Sequence, residues 1–345
     1  MGSASLKAID FFCSGGGMTY GMRLAGIEVI AGIDIDPEVK ETYELNNPGT
    51  KFILKDICKL NEEDLLKELN IKCNDDRMIF IGCSPCQYWS IIRTNKEKSK
   101  KSKDLLKEFH RFIKFYRPGF VVVENVPGIE RRSSESGLDE FIEDLKKRGY
   151  QIKFDIYNLN EYGVPQTRKR FSLIASRIVT EHIQPEKSNY RPVVKDFIGE
   201  HNGFPKVPAG YKDKTDFLHT VSSLSEDNLI AIKNALPGGR PAKKRERFRG
   251  GGFRDSYGRM EWDKPAPTIT TKFYSLSNGR FGHPEEHRAL SLREGATLQT
   301  FPKTYKFKAK SKASIARMIG NAVPPEFARR IGEAIIKAYN KLDLR

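Results

Sequence analysis

A cysteine pair directly follows an apolar run in the segment IFIGCSPCQYWS, residues 79–90. Cys83 and Cys86 are separated by two residues, and four chemistries fit this pattern. The pair could bind zinc, although the sequence offers no second CxxC or HxxxH motif to complete the ligand set. A CxxC after a strand is also typical of thiol-disulfide exchange. The remaining interpretations are a pair of inert buried thiols, or a nucleophile at Cys86 at the head of a loop.

A second group of residues could bind a nucleotide. In DFFCSGGGM, residues 10–18, three glycines let the backbone turn sharply and approach a ligand closely. Asp34 and Asp36 end the next apolar run and Asp56 ends the run after that, where carboxylates can accept hydrogen bonds from ribose hydroxyls. A plain structural turn is the alternative. Because no Walker lysine follows the glycines, an adenosine-containing cofactor is favoured over a triphosphate.

Two further segments carry charged side chains beside apolar runs. Glu124 ends the run VVVE, where its carboxylate could serve as a general acid or cap a strand end. Arg168 and Arg170 alternate within QTRKR, so a strand there would place both guanidinium groups on one face. A solvated basic strand is the alternative interpretation.

The elements that must position these residues alternate between strands and helices along the first half of the chain. Continuous apolar runs predict a buried, largely parallel sheet, so the fold class is α/β, of the doubly wound Rossmann-like type. Ligands of such sheets lie beyond the carboxyl ends of the strands, and the glycine turn, the cysteine pair and Glu124 are therefore expected to meet in one crevice. The predicted strands are KAIDFF, EVIAGIDID, KFILKD, RMIFIG, FVVVENV, GYQIKFDIYNL and RKRFSLIAS.

The pattern changes near residue 178, where Pro, Gly, Asn and basic residues interrupt short segments. This change predicts a smaller, irregular, β-containing domain over 178–302, after a first domain over 1–177. The last part of the chain, 303–345, contains two predicted helices split at GNAVPP, whose apolar face is expected to pack on the first domain.

The composition indicates a polyanionic partner. The 345 residues include 60 Lys and Arg against 44 Asp and Glu, giving a formal net charge of +16. Basic residues concentrate at 93–103 and 240–259, which favours phosphate binding. Five cysteines and no N-terminal apolar segment lead us to expect a reducing cytoplasm. No apolar run approaches the about 20 residues needed to span a bilayer, so no membrane partner is expected.

Several of these segments together resemble a known family. The glycine turn is followed, in order, by PCQ after the predicted strand RMIFIG, ENV, QTRKR, RALSLREGATLQTFP and GNAVPP. This order resembles the motif series of DNA (cytosine-5)-methyltransferases, of the stand-alone prokaryotic restriction-modification type. The resemblance spans almost the whole chain and leaves out mainly the stretch from 178 to about 262.

The resemblance implies a covalent mechanism and assigns the catalytic residues. Carbon 5 of cytosine is a poor nucleophile, and addition of a thiolate to carbon 6 makes the ring electron-rich. Cys86 would be that thiolate and Cys83 a bystander, while Glu124 would act as an acid at ring nitrogen 3. Arg170 would bind the cytosine carbonyl oxygen and Arg168 would brace the cysteine loop.

The resemblance also implies S-adenosylmethionine as the cofactor, and no metal. Ser14 stands where the family usually has a glycine, and Asp34 with Ile35 replaces the more usual Glu and aromatic pair. The residues expected at the cofactor are Phe12, Cys13, Ser14, Gly15, Gly16, Gly17, Asp34, Ile35, Asp56, Ile57, Pro85, Leu105, Asn321, Ala322 and Val323.

The implied substrate is double-stranded DNA, from which the target cytosine is flipped into the pocket. The segment from 178 to about 287 would be the target-recognition domain. A monomer is expected, in the cytoplasm at the nucleoid, with a restriction endonuclease acting on the same site without stable contact. The residues expected to contact DNA are Gln87, Ser90, Arg93, Lys96, Arg245, Arg247, Arg249, Arg254 and Thr268.

Two alternatives stay open at this point. The chain could be a member of the same family that methylates tRNA, because net charge does not distinguish DNA from RNA. It could also be a thiol-disulfide oxidoreductase that uses Cys83 and Cys86, although Glu124, Arg168 and Asn321 would then have no chemical purpose.

Overall fold

The computed structural model describes residues 5–84, 104–215, 217–239 and 255–342. The chain divides into two compact units, and each contains segments that are distant in sequence. Unit 1 comprises Met1–Asn158, Lys169–Lys187 and Pro325–Arg345, and unit 2 comprises Leu159–Arg168 and Ser188–Pro324.

Unit 1 is built on a seven-stranded sheet in the order β3-β2-β1-β4-β5-β7-β6. The first five strands of this order are parallel, and β7 runs antiparallel to both of its neighbours. This arrangement confirms the predicted α/β class and the largely parallel sheet. All seven predicted strands are present: β1 Lys7–Phe11, β2 Glu28–Asp34, β3 Lys51–Leu54, β4 Met78–Gly82, β5 Phe120–Asn125, β6 Gln151–Asn158 and β7 Lys169–Ser176.

Helices connect the strands of unit 1, and short 3₁₀ turns at Pro37–Val39 and Ile57–Lys59 lie at strand and helix ends; a third, at Leu159–Tyr162, follows β6 and belongs to unit 2. Asp36 and Asp56 cap the first two of these turns by accepting hydrogen bonds from backbone N–H groups. The α-helices of this unit are α1 Gly17–Leu24, α2 Lys40–Asn46, α3 Glu62–Leu69, α4 Leu105–Tyr116, α5 Gly128–Arg131, α6 Ser133–Ser136, α7 Leu138–Lys147 and α11 Pro325–Asn340.

One face of the sheet carries an aromatic core. The ring of Phe11 on β1 lies 5.2 Å, between centroids, from each of the rings of Phe80, Phe109 and Phe112. Gly82 at the end of β4 faces Phe109 so closely that a Cβ atom there would lie 2.6 Å from the ring. Burial of these large side chains stabilises the sheet against α4.

The C-terminal helix α11 packs on α1. A Cβ atom on Gly21 of α1 would lie 2.3 Å from the carbonyl oxygen of Pro325, so only glycine allows the two helices to approach this closely. One helix ends at Asn321 and the next begins at Pro325, which confirms the predicted split of the terminal helices at GNAVPP. The last helix belongs to unit 1, which carries the sheet, whereas the helix before it, Lys312–Asn321, belongs to unit 2.

Unit 2 contains little regular structure. Its described residues pair as isolated β-bridges, among them Pro237 with Arg259 and Arg259 with Gly282. Its α-helices are α8 Glu226–Lys233, α9 Leu292–Leu298 and α10 Lys312–Asn321, accompanied by 3₁₀ turns at Val194–Asp196, Glu200–Asn202, Phe217–His219 and Leu276–Asn278.

Buried polar side chains hold unit 2 together. Arg288 is fully buried and donates to both carboxylate oxygens of Glu294 at 2.8 Å, and also to Glu286. Together with His283, these two carboxylates form the one group within the described ranges whose spacing could hold a metal ion. The guanidinium of Arg288 already pairs with both carboxylates and so provides the positive charge that a metal ion would otherwise provide. None of the helices in the described part of the chain is both long and apolar enough to cross a membrane.

Candidate active site

The buried carboxylate of Glu124 pairs with Arg170 at the end of β5. The Nε atom of Arg170 lies 3.0 Å from Oε1 of Glu124, and both side chains are largely removed from solvent. The antiparallel neighbour β7 brings Arg170 to this position, since Glu124 lies opposite Ser172 in the register. A buried acid beside a fixed guanidinium can exchange a proton with a ligand while the cation stabilises its charged form.

Asn125 connects this acid to the segment that precedes the nucleophile candidate. Its side-chain amide donates to the carbonyl oxygen and to the hydroxyl of Ser84, each at 3.2 Å, and its own Oδ1 accepts from the N–H of Val126. Ser84 stands two residues before Cys86 in the sequence. The ends of β5 and of the segment after β4 are thus held together by one buried side chain.

The turn after β1 has an unusual backbone, in which only one of the three glycines adopts a positive φ value. Phe12, Ser14 and Gly16 all have positive φ values, of 65°, 46° and 86°. Gly16 is also the N-cap of α1, so the turn leads directly into the first helix. Phe12 and Ser14 adopt a conformation that side chains rarely take, which is typical of turns constrained for function.

Asp34 at the end of β2 supports this turn. Its Oδ2 accepts from the N–H of Ser14 at 2.8 Å and its Oδ1 from the N–H of Asp36 at 2.9 Å. Burial raises the pKa of the Asp34 carboxyl. The carboxylate is therefore placed by two backbone donors beside a turn with an unusual backbone.

Apolar and acidic side chains from the next two strands reach the same edge of the sheet. Ile35 follows Asp34 and is 64% exposed, so its apolar side chain is accessible to a ligand. Asp56 follows the adjacent parallel strand β3 and accepts from the N–H of Cys58 at 3.0 Å, and Ile57 is buried behind it. Leu105 begins α4 and packs against the core.

In unit 2, Arg168 binds backbone carbonyl groups that are far away in sequence. It is fully buried and donates to Ile269 O at 3.0 Å, Gly320 O at 3.1 Å and Ala322 O at 3.0 Å. It therefore fixes the GNAVPP segment, which contains Asn321, Ala322 and Val323. Thr268 lies half-buried beside this cluster and donates to Thr167 O at 3.3 Å.

Comparison with known proteins identifies the family. The model of C-5 cytosine-specific DNA methylases matches residues 6–337. This chain belongs to that family. The DNA methylase assignment makes the chain an enzyme of the methyltransferase class, as its motif order predicts.

Relatives of this C-5 cytosine-specific methylase cover nearly its whole length. It is 39% identical over 344 residues to the Type II methylase M.HgiDII of Herpetosiphon aurantiacus, covering 95% of this chain and 94% of that protein. It is 32% identical over 340 residues to the Type II methyltransferase M1.HphI of Haemophilus parahaemolyticus, covering 96% of this chain and 87% of that protein.

Solved structures share the fold of this methylase. A structure described as a prophage-encoded DNA modification methyltransferase from E. coli has a TM-score of 0.78 at 22% identity, over 97% of this chain and 100% of that chain. The Dnmt2 methyltransferase of S. pombe has a TM-score of 0.64 at 17% identity, over 99% and 100% of the two chains. At these identities the likeness concerns the fold alone.

Within this methylase, the predicted site residues fall into three groups. Those from the glycine turn, β2, the segment after β3, α4, β5 and β7 lie in unit 1, and Arg168, Thr268 and residues 321–323 lie in unit 2. The third group lies outside the described residues: Pro85, Cys86, Gln87, Ser90, Arg93, Lys96, Arg245, Arg247, Arg249 and Arg254.

Sequence reasoning missed three buried polar residues of the methylase. Gln166 donates to Leu298 O at 2.7 Å and accepts from the N–H of Ile269 at 2.9 Å, so it supports the same segment as Arg168. The contact of Asn125 with Ser84 and the burial of Asp10 in β1 were also not anticipated. The available signal was a polar residue inside an apolar run, which is costly unless the structure satisfies it.

Proposed function

We propose that this methylase transfers a methyl group from S-adenosylmethionine to carbon 5 of a cytosine in a short specific site of double-stranded DNA. The observation that carries this proposal is the Glu124–Arg170 pair, joined through Asn125 to the segment that leads to Cys86. An acid and a cation thus lie next to Ser84, the residue two positions before the nucleophile candidate in the sequence.

Cys86 would begin the reaction as a thiolate that forms a bond to carbon 6 of the flipped base. The electrons of the 5,6 double bond move toward ring nitrogen 3, which takes a proton from Glu124. Arg170 holds the cytosine carbonyl oxygen and keeps the Glu124 carboxyl in place through its 3.0 Å contact. Carbon 5 would then take the methyl group, which leaves S-adenosylhomocysteine, while ring nitrogen 3 returns its proton to Glu124. Water would remove the carbon 5 proton, and the electrons of that bond restore the 5,6 double bond as the bond from carbon 6 to Cys86 breaks and releases the thiolate.

The ends of β1 and β2, where the glycine turn and Asp34 lie, suit the binding of a positively charged cofactor that contains adenosine. The backbone of Phe12 to Gly17 turns sharply, Asp34 offers a carboxylate for ribose hydroxyls, and Ile35 offers an exposed apolar surface for a base. S-adenosylmethionine would supply an electrophilic methyl group there. The residues that would hold it are those of the turn with Asp34, Ile35, Asp56, Ile57, Pro85, Leu105 and residues 321–323.

Double-stranded DNA is the substrate that the charge and the relatives favour. The net charge of +16 suits a phosphate backbone, and the relatives M.HgiDII and M1.HphI are named Type II methylases. We infer that the chain acts as a monomer beside a restriction endonuclease of the same specificity, and that 178–302 reads the DNA sequence. Thr268 and the basic segments 93–103 and 240–259 are the proposed DNA contacts.

The two alternatives are less well supported. The two relatives described above are named as Type II methylases or methyltransferases, which favours DNA over tRNA as the substrate. A thiol-disulfide oxidoreductase would give no role to the buried Glu124–Arg170 pair.

Bisulfite sequencing tests the proposal directly. Purified protein is incubated with S-adenosylmethionine and an unmethylated plasmid, and in parallel with unmodified tRNA, and every cytosine of both nucleic acids is then read. Protected cytosines confined to one short DNA motif would support the proposal and reveal the recognition sequence. Protection of tRNA alone, or of neither substrate by a protein that binds the cofactor, would overturn it.

A further inference from the structure

Arg111 lies on α4, and its guanidinium holds the turn that follows β3. The Nη2 atom donates to Ile57 O at 2.9 Å and to Leu60 O at 3.0 Å, across 54 and 51 residues of the chain. Ile57 is the first residue of the 3₁₀ turn Ile57–Lys59, and Leu60 is its C-cap. One side chain from a helix therefore fixes both ends of this turn.

Two carboxylates keep the Arg111 guanidinium in this position. Its Nη1 atom lies 2.6 Å from Oε2 of Glu62, the first residue of α3, and its Nε atom donates to Oε2 of Glu108 at 3.1 Å. The guanidinium also lies 4.5 Å from the ring centroid of Phe112. All three nitrogen atoms therefore have partners, and the planar group is restricted to one geometry that the single ammonium group of a lysine does not reproduce.

The turn held by Arg111 carries Asp56 and Ile57, which the proposed function assigns to the cofactor. Asp56 is the N-cap of the turn, so the turn backbone sets the position of its carboxylate. At the same edge of the sheet, Ile35 and Leu54 are 64% and 45% exposed at the ends of the adjacent strands β2 and β3. Exposed apolar side chains and a carboxylate at neighbouring strand ends suit a flat base that carries an amino group.

We propose that Arg111 is a positioning residue that holds the Asp56–Ile57 turn in the conformation that recognises the adenine base of the cofactor. The inference rests on the proposed function, because it requires this edge of the sheet to bind S-adenosylmethionine. Arg111 acts through the backbone of the turn. Loss of its guanidinium frees the carbonyl groups of Ile57 and Leu60, so the Asp56 carboxylate is no longer held where the amino group of adenine needs an acceptor.

Two consequences separate this role from a purely structural contact between α3 and α4. Recognition of the base is the same in the ground state and the transition state, so loss of Arg111 should raise KM for the cofactor and leave kcat close to wild type. The preference for adenine should also depend on Arg111. Hypoxanthine carries a carbonyl oxygen in place of the amino group, and this oxygen cannot donate to the Asp56 carboxylate.

Isothermal titration calorimetry with S-adenosylhomocysteine and S-inosylhomocysteine measures the base preference without relying on turnover. Both ligands are titrated into the wild type, Arg111→Met, Arg111→Lys and Arg148→Met, and circular dichroism checks that each variant is folded. Arg148 is the matched control, because its side chain is 31% exposed, against 34% for Arg111, and its guanidinium pairs with Asp144. Methylation of plasmid DNA at varied S-adenosylmethionine concentration gives kcat and KM for the same proteins.

Arg111→Met should bind S-adenosylhomocysteine about tenfold more weakly than the wild type and S-inosylhomocysteine almost equally well, so its preference for adenine falls. Arg111→Lys should lie between the two, and Arg148→Met should match the wild type.

An adenine preference in Arg111→Met equal to that of the wild type, or an equal loss in Arg148→Met, would overturn the inference. If Arg111→Met does not fold, Arg111→Lys decides by the same comparison. A wild type that binds both ligands equally would overturn the inference alone. A wild type that binds neither would overturn the proposed function, and the inference with it.

Discussion

The side-chain amide of Asn125 donates to both the carbonyl oxygen and the hydroxyl of Ser84, at 3.2 Å each. This contact joins the strand that carries Glu124 to the segment that leads to Cys86, although the two segments are 41 residues apart. The position of an acid relative to a nucleophile controls the rate of an addition that is coupled to proton transfer, because a displacement of about 1 Å can lower the rate by about 100-fold. Asn125 is therefore expected to be a positioning residue.

Replacing Asn125 by Ala should slow methyl transfer by about 100-fold, because the tether between the two segments is lost. Single-turnover methylation of a plasmid measures this rate. Ser84→Ala is the matched control, because it removes the hydroxyl contact and keeps the carbonyl contact, so a smaller loss is expected. Calorimetry should show cofactor binding close to wild type in both variants. Equal rates in Asn125→Ala and the wild type would contradict the positioning role.

Cys86 and Cys83 should differ sharply on substitution. Cys86→Ser should abolish transfer and leave DNA binding largely intact, because the hydroxyl is a far weaker nucleophile than a thiolate. Cys83→Ala should be tolerated. The measurements are methylation of plasmid DNA and gel-shift titration of the same DNA. If both substitutions abolished activity equally, a redox or metal role for the pair would be indicated instead.

Glu124→Gln should slow methylation by about 100-fold or more, because the amide cannot protonate ring nitrogen 3. Cofactor affinity, measured by calorimetry, should not change. The matched variant Arg170→Lys keeps the positive charge and loses the planar geometry of the guanidinium, so its loss should be smaller. Unchanged turnover in Glu124→Gln would remove this carboxyl group from the mechanism.

Arg168→Met should destabilise the protein by about 3 kcal/mol or more. The change removes the guanidinium donors of three buried carbonyl oxygens, of Ile269, Gly320 and Ala322, and only the last retains a contact, at 3.5 Å from Gln299 Nε2. Urea unfolding measures the free energy, and Thr268→Ala provides a comparison at a half-buried residue of the same unit. A midpoint equal to that of the wild type would show that other donors replace the guanidinium.

Stability should fall as the pH is lowered from about 6.5 to about 4, because the buried His283 stays neutral in the folded protein while the unfolded chain becomes protonated there. Burial lowers the pKa of His283 to about 4, so below pH 6.5 the unfolded chain binds a proton that the folded chain does not. The loss should approach about 3 kcal/mol at pH 4. Arg288 lowers the pKa of Glu294 to about 2, so the ionised Glu294 also stabilises the folded protein. This stabilisation is lost as the pH falls from about 4.5 to about 2.

Urea unfolding of wild type, His283→Gln and His182→Gln at pH 7.5 and pH 4.5 tests this pH dependence. The exposed His182 serves as the comparison. His283→Gln should lose less stability between the two pH values than the wild type does. An identical pH dependence in all three proteins would show that His283 does not determine it.

Local patterns in the sequence were sufficient to predict the seven strands and the break between the last two helices. Runs such as FVVVEN and RMIFIG are apolar over the length of one strand, and the Pro pair in GNAVPP cannot continue a helix. The order of the short motifs was likewise enough to indicate the family. Each of these signals depends on residues that are close together in the chain.

Only the tertiary structure determined which hydrogen-bond and ion-pair partners the individual side chains have. Arg168 and Arg170 are alike in sequence, yet one binds carbonyl groups more than 100 residues away and the other pairs with Glu124. The burial of Asp10 likewise depends on Thr19, Tyr43 and Gly32, which three different elements contribute. Periodicity indicates which face of a strand a residue occupies, but the atoms opposite that face are supplied by tertiary packing.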